Sequence, residues 1–262
     1  ENDIFVRNQE GFKDIPGSTI AYWLRDSILK IFSTSNRIGD FFVAKKGMDT
    51  GNNDRFLRFW FEVPKFKFSK TGIDTKNFKW FPYNKGGNFR RWYGNNEYVV
   101  NWENNGQEIK NYRKSNLRNQ DYYLKPGITW STVSSGRISF RYFEDGYLFD
   151  NGGSCLFGEK EELYSVLPFL NSKLPQFFLA AINPTINYQP GNVASLPFSF
   201  KIFSLENLKY YTESCINLSK IDWDSFETSW DFKKHPFLTY RGEAKTLEEC
   251  YANWADHAEK QF

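Results

Sequence analysis

Apolar positions along the chain change period several times, and each change marks an element. Over residues 18–32, Ala21, Leu24, Ile28, Ile31 and Phe32 share one face at helical spacing. Ser18 can cap that run after a Pro16-Gly17 turn, so a helix is predicted there. Residues 40–68 turn strand-like: 41–44 and 56–63 are rich in aromatic and branched side chains and flank a turn-forming stretch at 47–54. Residues 98–102 read as another strand, Asn105-Gly106 as a turn, and the following residues to Tyr112 as a polar helix. In 137–143, Ile138, Phe140 and Tyr142 alternate with Arg137, Ser139 and Arg141. Asp145-Gly146 then turns the chain back through Tyr147-Leu148-Phe149, which predicts a hairpin with one aromatic and one cationic face.

The later chain is helical. Leu163, Val166, Leu167 and Leu170 define one helix, and Pro175 opens a second that ends near Asn183-Pro184. Residues 186–193 look extended. Leu205, Leu208, Thr212 and Cys215 mark a further helix. The last opens on the capping box Thr246-Leu247-Glu248-Glu249, with Leu247, Cys250, Tyr251, Trp254 and Ala258 on one face. The expected class is α+β: a twisted, mostly antiparallel β-sheet with packed helices. Residues 1–38 form a leading segment with a helix, 39–200 the α+β body, and 201–262 a helical C-terminal segment. A chain that starts at Glu1 and stops inside a helix at Phe262 is expected to be a piece of a longer protein. No apolar run reaches the roughly 20 residues that cross a bilayer, and no leader-like start is present, so no membrane role and a cytoplasmic location are expected.

Composition adds two things. Aromatic residues make up 19% of the chain and there is one Met, so rings must fill the core. The net charge of +3 hides a division: residues 65–118 carry 12 basic and 4 acidic side chains, and 202–262 carry 7 and 11. The basic segment is densest at 79–96, where Lys and Arg interleave with rings and amides. That mixture suits phosphate neutralisation, base-edge readout and stacking. A solvated loop with its rings packed inward fits the same composition equally well.

Several chemistries lack their residues. Cys155, Cys215 and Cys250 form no Cys-x-x-Cys pair, and His235 and His257 are the only histidines, so a zinc site lacks its usual spacing and free thiols are expected. There is no Gly-x-Ser-x-Gly elbow and no dinucleotide-binding glycine motif. The 47–54 loop is neither a phosphate-cradling P-loop nor a calcium loop. His235, before Pro236, reads as a helix-end residue rather than a base. Glu62-x-x-Lys65 is a spacing that chance supplies often. Amino-methyltransferases acting on adenine carry Asn/Asp-Pro-Pro-Tyr/Phe at the flipped base. Here Asn183-Pro184 is followed by Thr185-Ile186, and no S-adenosylmethionine loop is seen, so this chain alone is not expected to methylate.

A set of stretches does resemble a family. They are Ile15-Pro16-Gly17-Ser18 through Tyr22-Trp23, Thr50-Gly51-Asn52-Asn53-Asp54-Arg55-Phe56, and Lys79-Trp80-Phe81-Pro82-Tyr83-Asn84-Lys85-Gly86-Gly87. Further ones are Trp92-Tyr93-Gly94 through Asn101-Trp102-Glu103-Asn104, Gly127-Ile128-Thr129-Trp130-Ser131, and Asp222-Trp223-Asp224-Ser225-Phe226-Glu227-Thr228-Ser229-Trp230. Together they are similar to the C-terminal, target-recognition part of the PglX-type adenine-specific DNA methyltransferases of bacterial BREX phage-defence systems. A looser likeness, through Leu170-Asn171-Ser172-Lys173-Leu174, Asn183-Pro184-Thr185 and Val193 to Leu196-Pro197, is to specificity domains of type IIG restriction-modification and TaqI-like enzymes. The resemblance implies double-stranded DNA as partner, an upstream methyltransferase domain, S-adenosylmethionine in the parent protein but none in this chain, and contacts with other defence-system subunits.

On that reading Lys79, Lys85, Arg90, Arg91 and Arg141 are the candidates for phosphates. Asn84, Asn88 and Arg137 are the candidates for base edges, because Asn pairs with adenine and Arg with guanine. Tyr83, Trp92 and Trp130 are candidates for loop support or a wedge. The acidic tail has the wrong sign for phosphates and is assigned to docking. Two rival classes stand beside this one: an aromatic-rich module for protein or carbohydrate, and a stand-alone nuclease built on Glu62.

Overall fold

The computed structural model describes residues 8–72, 74–183, 185–203 and 206–261. Their short strands form two four-stranded sheets. The first has the order β1 (Val43–Lys45), β8 (Cys155–Phe157), β5 (Gly127–Trp130), β6 (Phe140–Phe143), antiparallel throughout. The second has the order β2 (Leu57–Phe59), β4 (Tyr98–Asn101), β3 (Trp80–Asn84), β7 (Leu148–Phe149), with β3 and β7 parallel. The α+β class and the mostly antiparallel pairing are as the pattern predicts.

The register of the first sheet explains why three of its strands, β5, β6 and β8, are buried on both faces. Ile128 pairs with Tyr142 and Leu156, and this row faces one core together with Trp130 and Phe140. Helices α1 (Asp26–Thr34), α2 (Lys160–Asn171) and α3 (Lys173–Ile182) add Leu29, Phe32, Leu163, Leu167 and Phe178 to that core. The neighbouring row places Phe143, Cys155 and Phe157 in a second core, shared with Phe81, Tyr83, Val100 and Phe149 of the second sheet. Sequence periodicity identifies a half-buried strand only when one face meets water. Strand β6 meets none.

The hairpin at 137–149 therefore does not form. Strand β6 pairs with β5, while β7 crosses to the other sheet and pairs with β3. The Asp145-Gly146 turn is present, with Gly146 at φ 98°. Its role is to pass the chain between layers: a Cβ there would lie 2.4 Å from the Thr71 backbone carbon. The predicted helix at 18–32 begins only at Asp26, because Gly17 and Ser18 are both left-handed (φ 81° and 50°) and the next residues make tight turns. Ala21 and Leu24 are nonetheless buried. Strand β2 is shorter than the 56–63 run, since Asn53–Phe56 is a helical turn capped by Asn52 and Trp60–Glu62 a second such turn. Residues 186–193 are not wholly extended, for Pro190–Ala194 is a short helix, α4.

The tail carries α5 (Glu206–Asp224) and α6 (Leu247–Gln261). Leu205 lies outside the described residues. The Thr246 capping box is closed: Glu249 N–H donates to Thr246 Oγ1, and the Glu249 carboxylate accepts from Thr246 N–H, both at 3.2 Å. No helix among the described residues is long and apolar enough to cross a membrane.

Candidate nucleic-acid interface

Two loops meet beside the ends of β3 and β5. The first, at 86–91, starts on Gly86 and Gly87 at φ 90° and 122°. Only glycine fits at 87, because a Cβ would meet Asn95 Nδ2 at 2.8 Å. That amide instead donates to the Asn88 carbonyl (2.8 Å), and Ser131 Oγ donates to the Gly87 carbonyl (2.7 Å). The second loop, at 133–137, is tied down where Ser134 N–H donates to the Ile186 carbonyl (2.9 Å).

Between the loops runs an open groove of about 610 Å³, walled by Asn88, Phe89, Arg91, Val133, Ser134 and Arg137 among others. Among the described residues, none that lines it is acidic. Phe89 is 52% and Val133 60% exposed, and the Arg91 guanidinium lies over the Phe89 ring at 5.4 Å. The groove therefore combines two cations with no ion pair among the described residues, an amide, serine hydroxyls and bare apolar surface.

The fold brings together only some of the candidates. Asn88, Arg91 and Arg137 share the groove. Lys85 is held elsewhere: its ammonium donates to Asp150 Oδ2 (3.0 Å), which also accepts from the Tyr83 hydroxyl (2.9 Å). Tyr83 is buried, and burial together with the Asp150 charge pushes its phenol well above the usual range. Asn84 is buried on β3 and its Nδ2 has no hydrogen-bond partner among the described residues. Arg90 is half-buried, paired with Asp222 (2.9 Å) and stacked over Trp223 at 4.9 Å. Lys79 is half-buried, with its ammonium 5.8 Å from the Trp80 ring centre.

Arg141 is the plainest correction. It is 1% exposed, inside the two-faced sheet, and cannot reach a phosphate there. Trp130 is a core ring whose Nε1–H donates to the Tyr188 carbonyl (2.8 Å). Trp92 packs against the first core. Neither is a wedge. Of the other sequence candidates, Glu62 caps its own turn by accepting from Phe59 N–H, and His235 Nδ1 accepts from Phe237 N–H at a helix start. Among the described residues no three His, Cys, Asp or Glu side chains gather as metal ligands would. Sequence reasoning missed the Val133-Ser134-Ser135-Gly136 wall. Its signal was a run of small residues between two strands, opposite the basic segment only in space.

Comparison with known proteins bears on this surface. An "Adenine-specific methyltransferase BrxX" of Escherichia coli O9:H4 (strain HS) is 39% identical over 258 residues, covering 97% of this chain and 21% of the relative. An "Adenine-specific methyltransferase PglX" of Lacticaseibacillus casei (strain Zhang) is 40% identical over 276 residues, covering 100% of this chain and 23% of the relative. The chain is homologous to a segment of these BrxX/PglX methyltransferases. It spans about a fifth of the length of these curated relatives. No protein-family model matches the sequence.

The blocks that carry the PglX resemblance have definite places. The Trp80 to Asn104 block supplies β3, the first groove loop and β4. In the Trp223 to Trp230 block, Trp223 backs Arg90, and Trp230 packs on Phe68 and Tyr147. Thr50 and Asn52 are structural: Thr50 Oγ1 donates to Asn53 Oδ1, and Asn52 Oδ1 accepts from Arg55 N–H.

Proposed function

We propose that this chain is the DNA-reading segment of an adenine-specific DNA methyltransferase of the BREX type, acting in bacterial phage defence. The observation that carries the reading is the acid-free groove where Asn88, Arg91 and Arg137 converge from two loops. Arg91 neutralises a phosphate, while Asn88 and Arg137 meet base edges of a duplex. Methyl transfer belongs to the upstream catalytic domain of the parent protein, where S-adenosylmethionine binds. The residues at Asn183 do not fit a flipped adenine. Asn183, which would open the catalytic tetrapeptide, spends its side chain on Thr185 N–H (3.1 Å) and the Asn187 carbonyl (2.6 Å). Pro184 lies outside the described residues. The tail, which holds Arg90 through Asp222, faces the catalytic domain or other defence subunits.

Binding of cognate and scrambled duplexes over a salt series tests this. Arg137→Ala is expected to relax one position of the site, at a cost of about 1–3 kcal/mol in discrimination. Arg91→Ala is expected to weaken all sequences alike and to flatten the salt slope by about one unit. Salt-insensitive binding would favour a protein or carbohydrate ligand and sink the reading.

A further inference from the structure

Arg141 is a charge in a place that charges avoid. It sits on β6 in a row with Thr129 and Cys155, facing between the sheets. Its Nε has no hydrogen-bond partner among the described residues, and its Nη1 donates to the Arg90 carbonyl at 3.4 Å. Glu97 acts on it electrostatically, but the described residues give it no ion pair. Burial pushes its pKa down to about 10, which still leaves it charged near neutrality. An unpaired buried charge is costly, and an apolar side chain of similar shape would relieve that cost.

What lies above it is the strap 89–93. Trp92 N–H donates to the Phe140 carbonyl, and the Trp92 carbonyl accepts from Tyr142 N–H, both at 2.8 Å, so the strap bridges β6 on either side of Arg141. Arg90 N–H donates to Ser139 Oγ (3.2 Å). Trp92 holds φ 70°, a conformation that bulky residues rarely adopt unless their surroundings enforce it. The same strap carries Phe89 and Arg91 into the groove, with Asn88 just before it.

We propose that Arg141 is a positioning residue for the groove: from beneath, its guanidinium holds the Arg90 carbonyl and with it the strap that presents Asn88 and Arg91. It touches no DNA itself. This rests on the nucleic-acid reading of the groove. Its signature is a pair of effects with opposite sign, because the interaction serves the loop at the expense of the core.

The test uses Arg141→Met, Arg141→Lys and Arg91→Ala in the full chain, with a labelled mixed-sequence DNA duplex as probe. Arg141→Met is expected to weaken duplex binding about five-fold, the equivalent of one net hydrogen bond, while its melting temperature holds or rises. Limited trypsin digestion is expected to cut sooner after Arg90 or Arg91, since the strap is released. Arg141→Lys keeps a donor on a flexible stem and is expected to recover part of the affinity. If Arg91→Ala weakens binding and Arg141→Met does not, the groove stands and the positioning role falls. A melting temperature that drops together with affinity makes Arg141 an ordinary core residue and overturns the proposal. If Arg91→Ala and Arg137→Ala both leave affinity unchanged, the groove reading fails by itself, and unchanged trypsin cutting in Arg141→Met then removes the strap contact as well.

Discussion

Asp150 gathers three donors: the Tyr83 hydroxyl, the Lys85 ammonium and the Gly152 N–H at 2.6 Å. Its carboxylate is mostly buried, so removing it strands a lysine charge and a phenol beside the second core. Asp150→Ala is expected to cost roughly 2–4 kcal/mol, read from the urea midpoint. This pair also shows where residue-level reading runs out. The sequence displays Lys85 among rings and glycines, as a phosphate ligand would be, but Asp150 is 65 positions away. Asn88, Arg91 and Arg137 were legible as surface chemistry because their neighbours are polar and turn-forming. Arg141 was not, because alternation cannot tell a solvated face from a second core.

At the scale of elements, local signals predicted well and long-range ones did not. The α6 cap needs only residues within one turn, and Thr246 and Glu249 close it as their spacing predicts. Backbone N–H groups of Lys245 and Thr246 hold the Glu249 carboxyl below the usual range. Thr246→Ala is expected to remove about 1 kcal/mol of helix stability, seen as faster amide exchange over 247–261. The global melting transition should move little, because α6 leans mainly on Phe237 and Tyr240 through Tyr251, Trp254 and His257. Strand partners, by contrast, are set by packing. Nothing near Leu148 says that it pairs with Tyr83 rather than with β6.

At the scale of the whole molecule, the acidic tail is clasped to the basic body. Lys70 donates to Asp231 Oδ1 (2.5 Å), Arg90 pairs with Asp222, and Trp60 Nε1–H donates to the Thr228 carbonyl (2.9 Å). Burial pushes the Asp231 carboxyl up, but Lys70 and Lys220 outweigh it and hold the group below its ordinary value. A depressed carboxyl stabilises the fold above its unfolded pKa, near 4, and that contribution is lost as pH falls through the folded value. Thermal melts of the native chain and of Asp231→Asn are therefore expected to differ at pH 6 and to converge below about pH 4. The charge division between body and tail was legible in the sequence, whereas the individual clasps were not.

The two-faced sheet has a consequence for change in this molecule. Its interior is fixed from both sides, yet the 133–137 loop hangs off its end, and a Cβ added at Gly136 meets nothing within 4 Å. Such a tip can be exchanged like a tool bit in a chuck. Grafts that retain the Ser134 tether should keep the melting behaviour of the original while presenting a new contact surface.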